Sequence, residues 1–145
     1  MRIISVTRLR LRSIRFLPRL WWEIRKMRRA LEKAPGFLLG KLLADRRCAF
    51  WTMTLWKDME SMRGFRDSGV HAAVMPHAVR WCDEVSVVHW ETEADRLPGW
   101  DEAYRRMSEA GSPTPLKFPS EDYKAHRYKK PHVTHHNRVL VLPRK

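Results

Sequence analysis

Glycine is scarce in this chain, with six among 145 residues. No glycine-rich loop follows a strand, so the phosphate-cradling fingerprints of nucleotide-binding proteins are excluded. A nucleophile elbow is absent as well. Cysteine is scarcer still: Cys48 and Cys82 stand far apart, with neither metal-ligand spacing nor the number needed for a disulfide framework. They predict a reduced, cytoplasmic protein in which each thiol acts as a small buried hydrophobe. No stretch approaches the roughly 20 apolar residues of a membrane span. Arg8, Arg10, Arg12, Arg15 and Arg19 interrupt any apolar core of a leader segment. No repeat of solenoid type is visible.

Acidic residues are the minority charge. Lys and Arg total 29 against 16 Asp and Glu, a net charge of +13. Such a field favours anionic partners, whether nucleic acid, an acidic membrane surface or an acidic protein. Plain surface coverage by arginine explains the same excess. No nucleic-acid-binding motif is present and the aromatic residues fall in elements expected to be buried, so nucleic acid is not the expected partner. The apolar fraction of 43% is ordinary, and the length suits one domain with a real core.

The pattern along the chain alternates strands and helices. Residues 3–11 alternate, with Ile3, Ser5, Thr7, Leu9 and Leu11 on one side and Ile4, Val6, Arg8 and Arg10 on the other. Pro18 suits the first turn of a helix in which Leu17, Leu20, Trp21, Ile24, Met27 and Leu31 recur at helical spacing. Ala34-Pro35-Gly36 ends it. Residues 37–44 and 49–56 read as a β-hairpin around a polar turn. Asp58 is a plausible N-cap, and Gly69 a plausible C-cap for the helix that follows. A second helical piece contains Pro76, which either restarts or kinks it, and points Val74, Ala78 and Trp81 inward. Residues 85–91 return as a strand, and 100–110 form a short amphipathic helix. Three prolines beyond Gly111 predict an irregular strap. Residues 124–136 are basic and histidine-rich, expected to be mobile or to wrap a partner, and 139–142 add an edge strand.

The order β-α-β-β-α-β is the ferredoxin-like split motif, an α+β layer with helices on one face. We read residues 1–120 as this domain and 121–145 as a basic tail. A sheet with one covered face leaves the other bare, and a bare apolar face recruits a second copy. The expectation is therefore a homodimer.

Several side chains are candidates for chemistry. Trp51, Trp56, Trp81 and Trp90 suit the wall of a flat apolar pocket, or ordinary core. Trp21, Trp22 and Trp100 read as helix-packing residues. His89 sits on a strand with Val85 and Val87, as a proton shuttle or a hydrogen-bonded core histidine. Arg8 and Arg10 suit bidentate pairing with a ligand carboxylate, or solvated surface. His77 should not share a face with His71 and is expected in solvent. His126, His132, His135 and His136 gather in the tail, a loose metal-binding pattern or a polar tail.

Leu55-Trp56, Glu60, Phe65, Gly69-Val70-His71 and Trp81, with the later Leu97-Pro98-Gly99-Trp100, carry a resemblance. Over about Ile3 to Ser120 the chain resembles the dimeric α/β-barrel superfamily, which includes antibiotic biosynthesis monooxygenases and haem-degrading monooxygenases. It is most similar to an uncharacterised subgroup near spheroidene monooxygenase. The resemblance implies a homodimer and a pocket between sheet and helices holding a small apolar or aromatic ligand. It implies that His71, from the helical region that ligates iron in haem-binding relatives, binds haem or handles a proton. On this reading Trp51, Trp56 and Trp81 would line the cofactor, and Arg8, Arg10 and Trp90 the substrate. A non-catalytic ligand-binding module and an anionic-surface binder are the alternatives.

Overall fold

Alternating side chains along β1 (Arg2–Leu11) place Ile3, Ser5, Thr7, Leu9 and Leu11 on one face and Ile4, Val6 and Arg8 on the other, as expected. The structure, a computed structural model, describes residues 1–133 and 139–142. A one-turn 3-10 segment (Ile14–Phe16), capped by the Ser13 side chain, leads into α1 (Leu17–Lys33), with Pro18 in its first turn. Gly36 turns the chain with φ of 81°, where a side chain would be strained and would also run into Ser61. β2 (Phe37–Ala44) and β3 (Ala49–Trp56) follow as a hairpin. α2 (Met59–Arg66) starts where Asp58 accepts the Ser61 N–H at 2.8 Å. α3 (Gly69–Trp81) and β4 (Cys82–Thr92) complete the split motif. Beyond it lie α4 (Trp100–Ala110), β5 (Ser112–Pro113), the single turn α5 (Glu121–Lys124) and β6 (Val139–Leu142).

The strands form one six-stranded sheet in the order β5-β4-β1-β3-β2-β6, antiparallel at every pairing. The central β4-β1-β3-β2 order is that of the ferredoxin-like fold. α1 and α3 cover the face carrying Leu9, Leu11, Leu42, Phe50 and Val85. Three details differ from expectation. Gly69 does not cap α2. Asp67 holds that place and Gly69 opens α3 behind Ser68. Of the two expectations for Pro76, a restart does not occur, and α3 runs through it as one helix. Trp22 packs against nothing substantial and is 61% exposed, whereas Trp21 sits edge-on to Phe50 and Trp100 is buried.

The larger correction concerns the second face. It is not bare. Trp100, Ala103 and Met107 of α4 pack over Ile4, Val6, Leu43, Trp51, Met53, Leu55 and Val88. Seven of these side chains are 0% exposed in the single chain: Val6, Leu43, Trp51, Met53, Leu55, Ala103 and Met107. The apolar surface invoked to recruit a second copy is thus closed by the chain's own helix. Lys41 ties that helix down, its ammonium on the Pro98 carbonyl at 2.7 Å and 4.7 Å from the Trp100 ring centroid.

The described part of the basic tail also lies on its own chain. The Tyr123 hydroxyl lies between the carbonyls of Val85, at 2.6 Å, and Thr114, with one proton to share between them, and Tyr128 meets Ser86 Oγ at 3.2 Å. The strap therefore wraps its own sheet edge. His126 and His132 are exposed, while His135 and His136 lie outside the described residues.

Candidate functional site

Between the sheet and helices α1, α2 and α3 lies a hollow of about 290 Å³. Its floor follows from strand register. Thr54 of β3 stands opposite Ser5 of β1, which stands opposite His89 of β4, so one row crosses three strands facing the helices. The next row, Thr52, Thr7 and Val87, forms the other half of the floor. These residues are small or β-branched, and they leave room where larger side chains would fill the layer. The roof carries Ile24 and Met27 from α1 and Val74, Met75 and Ala78 from α3. The inward placement read from the spacing of Val74, Ala78 and Trp81 is what the structure has.

An aromatic chain closes one end. Phe37 meets Trp56 edge-on at 5.5 Å, Trp56 meets Phe65 at 5.4 Å, and Phe65 meets His71 edge-on at 5.9 Å. Trp56 keeps its polar handle satisfied by donating Nε1–H to Thr54 Oγ1 at 2.9 Å. His71 is half-buried from the first turn of α3 and lines the hollow. Burial pushes its pKa below the ordinary value, outweighing the opposing hydrogen bond to the Arg66 carbonyl. A neutral ring that donates one N–H to that carbonyl presents its second nitrogen as an acceptor.

The structure brings together four of the residues singled out in the sequence: His71, His89, Trp56 and Trp81 all border this hollow. The other four are elsewhere. Trp51 faces α4 in the core of the second face, and Trp90 packs there beside it. Both leave the hollow because their strand parity puts them on the opposite side from Thr52, Thr54 and His89. Arg8 and Arg10 share that second side. Arg8 is 4% exposed and forms a buried ion pair with Glu84, whose other oxygen meets Arg10 at 3.3 Å and Ser120 Oγ at 2.8 Å. These arginines hold the protein's own carboxylates and do not reach a ligand beneath α1 and α3. His77 is exposed, as expected, and stacks on Trp81 at 5.0 Å.

Sequence reasoning missed Phe65, Met62 and the floor of Ser5, Thr7, Thr52 and Thr54. The signal was present as a polar interval within otherwise apolar alternation on three neighbouring strands. Haem, which the resemblance implies, is a broad plate. A hollow of about 290 Å³ lies at the bottom of the range of ligand sites, roughly 300–1,000 Å³, and is too small to enclose it.

Comparison with known proteins agrees with this geometry. A variant of SnoaB, a cofactor-independent oxygenase from Streptomyces nogalater, is 13% identical with a TM-score of 0.55, covering 68% of this chain and 98% of that one. An antibiotic biosynthesis monooxygenase is 12% identical with a TM-score of 0.57, covering 63% and 99%. A Mycobacterium tuberculosis protein is 9% identical with a TM-score of 0.60, covering 67% and 100%. At such identities the likeness is one of fold, and the fold is that of the antibiotic biosynthesis monooxygenase-like proteins. Among curated proteins none matches the chain. The model of the family described as domain of unknown function DUF3291 matches residues 22–134, which takes in α2, α3 and α4 but not the β1 part of the floor, and the chain belongs to that family.

Proposed function

We propose that the chain is a monooxygenase-like protein that takes a small apolar or aromatic molecule into the hollow between its sheet and helices. The observation that carries this reading is a half-buried His71, its pKa lowered by burial, lining an apolar hollow walled by Trp56 and Phe65. A similar fold in a protein named as a cofactor-independent oxygenase supports it.

In this reading the aromatic wall holds a planar substrate and the Thr54–Ser5–His89 row orients its polar edge. The free nitrogen of His71 takes a proton from an acidic C–H or O–H of the substrate. The resulting electron-rich anion reduces dioxygen, so that a CH2 group and O2 become C=O and water. The carbon gives up four electrons and oxygen takes them, and no other reductant enters. The lining of the hollow comes from one chain, and the steps above use only its residues. Cys48 and Cys82 are free thiols, which supports a reducing, cytoplasmic setting. No helix among the described residues is long and apolar enough to cross a membrane.

Anthrone is a suitable probe, because its methylene is acidified by two aromatic rings. The expected result is oxygen uptake of one O2 per anthrone consumed, reduced by about 100-fold or more in His71→Ala. Saturable anthrone binding without oxygen uptake would instead assign a non-catalytic carrier.

A further inference from the structure

On the opposite side of the sheet from the hollow, the turn between β2 and β3 meets the end of β1 and the C-terminal strap. They enclose a second cavity of about 330 Å³. Three separate stretches of chain supply its charges: Arg8 and Arg10 from β1, Arg46 and Arg47 from the turn, Lys129 and Lys130 from the strap. One carboxylate, Asp45, lines it. That carboxylate is already engaged by backbone, its Oδ1 accepting the N–H of Arg46 at 2.8 Å and of His132 at 3.1 Å.

The charges are not equally available. Arg8 and Arg10 are balanced from behind by Asp83 and Glu84. Lys129 and Lys130 have loose partners, Asp122 at 3.6 Å and Asp101 at 3.7 Å, on exposed side chains. The side chains of Arg46 and Arg47 have no ion-pair partner among the described residues. Arg47 and the following Cys48 both have φ of 59°, a left-handed conformation that is strained for non-glycine residues. The turn thus keeps arginine at a position where glycine or asparagine would be easier. In addition the Nε atoms of buried Arg8 and of Arg10 have no hydrogen-bond partner among the described residues.

We propose that this cavity binds a small phosphate-bearing anion, with Arg46 and Arg47 as its gripping charges and Arg10 behind them. Guanidinium forks match phosphate oxygens two at a time, and a doubly or more highly charged group is what can answer cations from three segments at once. The volume suits a small molecule and not a duplex, and a concave site walled on three sides does not offer the open stripe a polymer tracks along. The site is independent of the hollow under α1 and α3, being separated from it by the sheet.

The test is calorimetric titration of the full chain with inorganic pyrophosphate, at low and at high salt. Three proteins are compared: the parent, Arg46→Gln/Arg47→Gln, and a charge-matched control, Arg25→Gln/Arg29→Gln, on the exposed face of α1. All four positions are exposed, so each variant keeps the fold. We expect saturable one-to-one binding that falls about tenfold or more in the turn variant and is unchanged in the α1 control. Citrate, of similar charge, should bind more weakly. Absence of binding, equal loss in both variants, citrate binding as tightly as pyrophosphate, or an oligonucleotide binding through Arg46 and Arg47 in preference to pyrophosphate would each overturn the proposal.

Discussion

His71 stands among four influences on its proton. Burial lowers its pKa, the Arg66 carbonyl raises it, the Arg66 charge lowers it and Asp67 raises it. Burial is the largest, so the folded chain favours the neutral ring. The consequence for stability has a definite sign. Above both pKa values the folded and unfolded chains are equally unprotonated at this site and it contributes nothing. As pH falls through the ordinary histidine value near about 6.5, the unfolded chain takes up the proton first and folding weakens. His71→Gln removes that proton linkage, so urea unfolding between about pH 7 and pH 5 should show a shallower loss of stability than the parent. An identical slope in the two proteins would mean that His71 is not held neutral by burial. At this scale the sequence was legible but not fully used. His71 and His89 follow directly from their elements. Trp51 and Trp56 lie five residues apart on one strand, an odd interval, and could never share a wall. The same parity separates Trp90 from His89 and sends Arg8 away from Thr7.

The element whose role was least legible is α4. Its stripe of Trp100, Ala103, Tyr104 and Met107 predicts a buried face, and the structure has one. An amphipathic stripe says that a helix must be covered, and does not say by which surface. The split motif ends at β4, and the sequence reading covers the second face with a second copy, leaving the partner surface of α4 unassigned. Only the long-range contacts of α4 decide. Met107 is 0% exposed at the centre of that contact, and Met107→Ala should cost about 2–5 kcal/mol, read from the shift of a denaturation midpoint. A shift under about 1 kcal/mol would show that α4 does not pack tightly on the sheet. The strands and helices of the split motif, in contrast, were readable from local signals, although β4 begins at Cys82, three residues before the expected start. Turn residues and periodicity mark them locally, and Pro35-Gly36 and Asp58 stop and start the chain where the structure does.

The whole molecule is a sheet with a different kind of cavity on each side. One is apolar, under α1 and α3, and contains His71; the other is cationic, at the β2–β3 turn. The high net positive charge read from composition is partly dispersed along α1 and partly gathered in that second cavity, which composition alone has no means of showing. The central claim concerns the first cavity: small side chains on the floor leave space for a planar apolar guest. The most direct test is a fluorescence titration with a dihydroxyanthraquinone, comparing the parent with Ala78→Phe, a substitution that fills the hollow from α3. The account predicts one saturable site per chain in the parent and an affinity at least about tenfold weaker in the variant, with folding retained by circular dichroism. Equal affinity in the two proteins, or no saturable binding to the parent, would contradict it.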